Sequence, residues 1–247
     1  MSHREYRRNV PGSDTVVLFI HGIQGSPDQF SPLYPAVPED CSIVSLLLDG
    51  HGGTVRDFSR TSMDKWKAQV EKEADRLAAQ YDNIIIAGHS MGTFFAMDTA
   101  RRLPDKVRGL LLMCVPLVIR MTMRASINSM KVIFTRPPDK RPMTAAARAA
   151  YSIETDRRLW RYVGWIPRYL ELFREAREQR GKMADVPVTC LVYQSAKDEL
   201  VSRRSEAYIA KNPDIQLTVM PSSSHSCFDE KDMALVAEGL RKMCGIE

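Results

Sequence analysis

The chain has 247 residues, 44% hydrophobic and 26% charged, with a formal net charge of +5. That is enough to bury a full core as one large domain or two small ones, and it excludes disordered and fibrous classes. The longest purely apolar run, Leu110 to Ile119, has ten residues and is too short to span a bilayer. The opening residues hold no apolar stretch, so no secretory signal is expected. Cys41, Cys114, Cys190, Cys227 and Cys244 are scattered without a CxxC pair. They are expected to be reduced thiols in a cytoplasmic protein, not a disulfide framework or a zinc site.

Strand-like runs recur along the chain: Val16–Ile20, Ile43–Leu48, Ile84–Ala87, Leu110–Cys114, Thr189–Tyr193 and Ile215–Met220. Most are continuously apolar, the pattern of strands buried on both faces of a parallel sheet. Between them, Met63–Tyr81 carries Trp66, Val70, Ala74 and Leu77 at helical spacing, and Thr93–Leu103 and Asp232–Met243 are similar. Alternating strands and helices predict an α/β fold with right-handed crossovers. Residues 116–184 break this rhythm. Ile119, Met123, Ile127, Met130 and Phe134 form a helical stripe, Pro137-Pro138 interrupts it, and an aromatic-rich segment follows. The expected organisation is therefore a core of residues 1–115 and 185–247 with a helical insertion at 116–184. From Pro116 to Lys182 there are 15 Lys or Arg against 6 Asp or Glu, a local +9 that leaves the remainder at −4. Such an excess attracts anionic lipid, nucleic acid or an acidic substrate, or is simply a solvated helical face. No nucleic-acid motif accompanies it, so no nucleic-acid partner is expected.

The segment GHSMG, Gly88 to Gly92, follows a buried strand and precedes a helix. This is the G-x-S-x-G pattern in the strand–turn–helix context that presents a serine hydroxyl above a sheet. Serine is a weak nucleophile and needs a base, which an acid must orient. Both are expected after Ser90 in chain order, near the ends of later strands. Asp198 follows the Thr189–Tyr193 run and His225 follows Ile215–Met220. The competing readings are a turn residue or helix cap for Asp198, with Glu199 as rival acid, and a surface loop for His225. A tetrahedral intermediate also needs an oxyanion hole. The backbone amide of Met91 is one expected donor, and that of Ile23, in the loop opened by His21-Gly22, is the other. His21 is expected to fix this loop by hydrogen bonds. The glycines of DGHGGT, Asp49 to Thr54, are followed by no P-loop lysine, and the five histidines show no H-x-x-x-H spacing. No cofactor and no metal are expected.

On HGIQGSPDQF, LLLDGHGGT, GHSMG, QSAKDELVS and SSSHSCFDEKD, the chain resembles the α/β-hydrolase superfamily. Within it, the likeness is to the carboxylesterase and monoacylglycerol-lipase-like, serine aminopeptidase-type group. Ser224, Ser195 and Asp49 stand where that group usually has Gly, Gly and Pro. The resemblance implies that the insertion lies between the sixth and seventh strands and acts as a cap over an acyl pocket. Gln24, His89, Met121, Ile127, Trp160, Trp165 and Val201 are the expected pocket residues. The aliphatic and aromatic residues of the insertion point to a small ester substrate with an apolar acyl group, short to medium or monoacylglycerol- or lysophospholipid-like, cleaved through an acyl-enzyme, and its basic surface points to transient contact with a lipid surface. An amidase, peptidase or C–C bond hydrolase with the same triad, and a non-catalytic binding protein, remain the alternatives.

Overall fold

The computed structural model describes residues 3–120 and 151–245. Seven strands form one sheet: β1 Tyr6–Arg8, β2 Thr15–Ile20, β3 Ser42–Leu46, β4 Asn83–His89, β5 Val107–Met113, β6 Thr189–Ser195 and β7 Ile215–Met220. Their order is β1-β3-β2-β4-β5-β6-β7. Only β1 is antiparallel to its neighbour; every other pair is parallel. The continuous apolar runs become strands buried on both faces, as a parallel sheet covered by helices requires. Alternation along each strand then divides the core in two. Val16, Leu18 and Ile20 of β2 pack with Ile84 and Ile86 of β4 on one face, while Val17, Phe19, Ile85 and Ala87 pack on the other.

Six α-helices complete the described fold: α1 Val55–Ser59, α2 Met63–Ala78, α3 Gly92–Arg102, α4 Ile166–Lys182, α5 Arg204–Ile209 and α6 Glu230–Met243. Helix α2 starts where Ser62 accepts a hydrogen bond from the Lys65 amide, and it buries Met63, Trp66, Val70, Ala74 and Leu77. Its stripe and those of α3 and α4 pack on the first core; α6 and the 3-10 segment Pro27–Ala36 pack on the second. The strand order reverses at β2, which lies between β3 and β4. Crossovers leave β2 and β4 toward opposite sides there, opening a crevice at their carboxyl ends. The loop after β2 and the serine turn after β4 meet in that crevice.

All six anticipated strands are present. The insertion falls between the fifth and sixth strands of this sheet, one strand earlier than the resemblance implied. Strand β1, the Pro27–Ala36 segment, α1 and α5 are additions to the expected elements, being short or, in the 3-10 segment, interrupted by Pro32 and Pro35. Met121, Met123, Ile127, Met130, Phe134 and Pro137-Pro138 lie outside the described residues. Ile153, Trp165, Leu172, Ala176 and Met183 of the insertion join the first core. No helix among the described residues is long and apolar enough to cross a membrane.

Candidate active site

Strand β4 ends in a turn at which Ser90 has φ +52°, a left-handed conformation uncommon for a residue with a side chain. The turn is held on both sides. The Ser90 amide donates to the Met113 carbonyl at 2.9 Å, and the Thr93 amide and hydroxyl donate to the Ser90 carbonyl at 3.0 and 2.6 Å. Its flanking glycines are dictated by space. A Cβ on Gly88 would lie 2.9 Å from the Thr93 amide nitrogen, and one on Gly92 would lie 2.0 Å from the Ile20 carbonyl oxygen. Helix α3 thus begins directly against the end of β2, with its positive N-terminal end beneath Ser90.

Ser90, His225 and Asp198 are far apart in sequence, and the fold brings them into one hydrogen-bonded chain. Ser90 Oγ lies 3.0 Å from His225 Nε2, and His225 Nδ1 lies 2.8 Å from Asp198 Oδ2. All three are buried. The other Asp198 oxygen accepts the Leu200 and Val201 amides at 2.8 and 2.7 Å, which fixes the carboxylate plane. Glu199 takes a different part: its carboxylate accepts the backbone amide of His225 at 3.2 Å. An Nδ1–H donated to Asp198 leaves Nε2 free to accept the serine proton. Burial opposes charge on His225, but the Asp198 carboxylate outweighs it and the imidazole pKa rises well above 6.5. Burial likewise pushes against ionisation of Asp198, yet the His225 partner and two amides bring its pKa below 3.8.

The loop after β2 is fixed by two neutral histidines. His21 Nδ1 donates to the Gly22 carbonyl at 2.8 Å and its Nε2 accepts the Leu48 amide at 3.0 Å, the structural task expected of it. His51, which the motif search passed over, accepts the Gln24 amide at 3.0 Å. Burial lowers His51 to about 4 and His21 well below 6.5, so both act as acceptors at neutral pH. Gln24 has φ +61° and its amide is committed to His51. The Ile23 and Met91 amides donate to no acceptor among the described residues. Met91 follows the serine and Ile23 follows Gly22, whose added Cβ would lie 2.8 Å from Ser90 Cβ, so these two amides suit a developing oxyanion.

Asp232 is a further positioning group that sequence reading missed. It is buried in the first turn of α6, and its Oδ2 accepts the Ser222 amide at 2.9 Å, the Ser223 amide at 2.8 Å and the Ser223 hydroxyl at 2.7 Å. It thereby anchors the loop that carries His225. The only signal was an acidic residue near the start of a helix just after the histidine. Asp232→Ala strands the buried Ser223 amide and hydroxyl and frees the part-buried Ser222 amide, so it is expected to cost about 2–3 kcal/mol, seen as a lowered midpoint in urea unfolding.

The other anticipated residues are dispersed. His89 is buried beneath the turn, where its Nε2 donates to the His225 carbonyl at 3.0 Å; burial lowers its pKa to about 3. Gln24 bonds the Tyr169 hydroxyl of α4 through its side chain, and its carbonyl accepts the Ser152 amide. Val201 serves Asp198 through its backbone. Trp165 is buried in the core against Phe58, its Nε1 donating to the Val55 carbonyl at 3.0 Å. Trp160 departs from the expected pocket position, with 70% of its surface exposed. Met121 and Ile127 lie outside the described residues. One cluster among the described residues, His89, Cys114 and His225, brings possible metal donors within 4.8 Å of one another. Both His225 nitrogens in it are already hydrogen-bonded, to Ser90 and Asp198, and burial holds the Cys114 thiol above its usual pKa and so protonated.

A parallel sheet with a serine on a strained strand-to-helix turn, and with histidine and acid on later loops, is the arrangement of an α/β hydrolase. The chain belongs to the Alpha/beta hydrolase family, which matches it over residues 17–238. The pimeloyl-acyl-carrier-protein methyl ester esterase of Neisseria meningitidis serogroup C is 33% identical over 113 residues, covering 45% of this chain and 41% of that protein. The protein of the same name from Aromatoleum aromaticum is 30% identical over 96 residues, covering 39% and 35%. The matched stretch spans about two fifths or less of these relatives' length. Among solved structures, a metagenome-derived lipolytic enzyme superposes with a TM-score of 0.72 at 18% identity, covering 98% of this chain and 97% of that one. Monoglyceride lipase of Saccharomyces cerevisiae superposes with 0.69 at 13% identity, covering 97% and 90%. These likenesses are of fold.

Proposed function

We propose that the chain is a serine hydrolase that cleaves carboxylic esters through an acyl-enzyme. The observation that carries this reading is the buried chain from Ser90 Oγ to His225 Nε2 at 3.0 Å and from His225 Nδ1 to Asp198 at 2.8 Å. Ser90 attacks the ester carbon as His225 takes its proton, and the Ile23 and Met91 amides hold the resulting oxyanion. Collapse expels the alcohol, which receives the proton from His225. Water then repeats the sequence, with His225 as base, to release the acid and restore Ser90. Asp198 orients the ring and stabilises the imidazolium. Residues 116–184 act as the cap over the acyl side, with Tyr169 and Ser152 tying it to the loop at Gln24. Relatives named as methyl ester esterases favour an ester over an amide, and the ester proposed is one with an apolar, short to medium acyl group.

The test is hydrolysis of p-nitrophenyl esters from acetyl to palmitoyl, with an aryl amide series beside it. Turnover of esters with a clear chain-length optimum supports the reading, and preference for the amides overturns it. A pH profile adds a second check. The base must be neutral, and its pKa is raised above 6.5, so kcat/KM is expected to climb with pH along a limb centred above 6.5. Asp198→Asn removes the carboxylate that raises it and is expected to move that limb to lower pH. An unmoved limb would assign the titration to another group.

A further inference from the structure

Nine large hydrophobic side chains stand exposed among the described residues, and six of them lie between positions 159 and 173. They are Leu159, Trp160, Val163, Ile166, Leu170 and Phe173, on the Leu159–Trp165 turn and the first half of α4. Trp160 is 70% exposed, Val163 62% and Leu170 61%. The 3-4 spacing from Val163 to Phe173 gathers their side chains on one face. The opposite face of α4 is the one that packs, through Leu172, Ala176 and Gln179, against the body of the protein. Helix α4 therefore carries large apolar residues on its outward face, while the face that packs is mixed, with Glu175 and Gln179 buried beside Leu172 and Ala176. An ordinary surface helix would place polar residues on its outward face, and a contiguous exposed apolar patch of this kind marks an interaction surface.

Charge around the patch is predominantly positive. Residues 157–182 hold eight Lys or Arg against three Glu. Arg158 and Arg161 pair with Asp156, and Arg168 pairs with Glu171, but Arg157, Arg174 and Arg177 have no carboxylate partner among the described residues. Arg174 and Arg177 follow Leu170 and Phe173 at a spacing of four on the same side of the helix. An exposed strip with a tryptophan and an arginine margin suits a fluid phase that needs no preformed socket. Its apolar residues enter the acyl boundary while the guanidinium groups meet phosphates. We propose that this face docks the protein on an anionic phospholipid surface.

Docking can be read without turnover, so its failure is separable from failure of the hydrolase reading. Trp66 and Trp165 are buried and Trp160 is not, so intrinsic fluorescence reports on the strip. Vesicles of equal parts phosphatidylglycerol and phosphatidylcholine are expected to shift the emission to the blue and to carry the protein down on sedimentation. Pure phosphatidylcholine is expected to do so at least about tenfold less well, and added salt to weaken the anionic binding. Trp160→Phe should lose the spectral shift while still sedimenting. Val163→Glu with Leu170→Glu should lower partition by about tenfold or more, with the far-ultraviolet circular dichroism and the melting temperature unchanged. The proposal falls if the protein ignores anionic vesicles or if the double variant binds them equally. It falls too if Trp160 becomes buried by concentration-dependent self-association, or if only an acidic protein such as a carrier protein, and not lipid, shifts its emission.

Discussion

Ser90→Ala is expected to reduce ester turnover by about ten-thousand-fold or more, leaving the melting temperature within a degree or two of the original protein. The size follows from the part proposed for the hydroxyl: without it no acyl-enzyme forms, and what remains is positioning and the two amides. The small effect on stability follows from its contacts, since the Ser90 hydroxyl bonds His225 at 3.0 Å and the turn is held by backbone groups and Thr93. His225→Ala should cost a similar factor, and the double variant little more than either single one, because the two groups act in one step. Labelling by a fluorophosphonate should disappear in parallel. Single-variant losses that multiplied in the double variant would mean that serine and histidine act independently. A folded original protein that neither labels nor turns over any ester would make the family scaffold a binding module in this chain.

The parts of this site differ in how far they could be read from residues alone. The serine turn was legible because its requirements are local. A two-face buried strand gives an unbroken apolar run, and a turn jammed between β2 and α3 admits only glycine at positions 88 and 92. Asp198 and His225 were legible through their order and their places after strands. Choosing between Asp198 and its neighbour Glu199 was not, because the choice rests on which carboxylate reaches Nδ1 and which the backbone amide, 2.8 against 3.2 Å in the fold. His51 and Asp232 act on loops distant in the sequence, so no spacing announced them. The strand Tyr6–Arg8 was invisible because it is an edge strand of mostly exposed polar residues. Trp160 and Trp165 looked alike as members of one aromatic segment. Periodicity cannot tell the covered face from the bare one when both carry apolar residues, and only packing against Phe58 separates the buried ring from the exposed one.

Gly92→Ala is expected to be the most damaging single methyl group in the chain for stability. Its Cβ would sit 2.0 Å from the Ile20 carbonyl oxygen, 2.7 Å from the Ile20 carbonyl carbon and 2.8 Å from the His21 carbonyl oxygen, all of them backbone atoms. None can step aside as a side chain would. Ile20 is registered against Leu46 of β3 on one side and Gly88 of β4 on the other, so moving it disturbs three strands at the centre of the sheet. The alternative is to lift the start of α3 away from β2, which carries off Met91 and opens the turn at Ser90. Either response is expected to cost about 3 kcal/mol or more, a fall in melting temperature of about 6–12 °C for a domain of this size, with loss of activity in the material that still folds. Gly181→Ala is the matched control. That glycine lies within α4, and an added Cβ there meets nothing within 4 Å. The same methyl group should therefore stabilise by up to about 1 kcal/mol through helix propensity and a less flexible unfolded chain. Comparable melting temperatures for the two variants would mean that β2 and α3 do not meet as closely as this packing requires, and the glycine after the serine would need a different explanation.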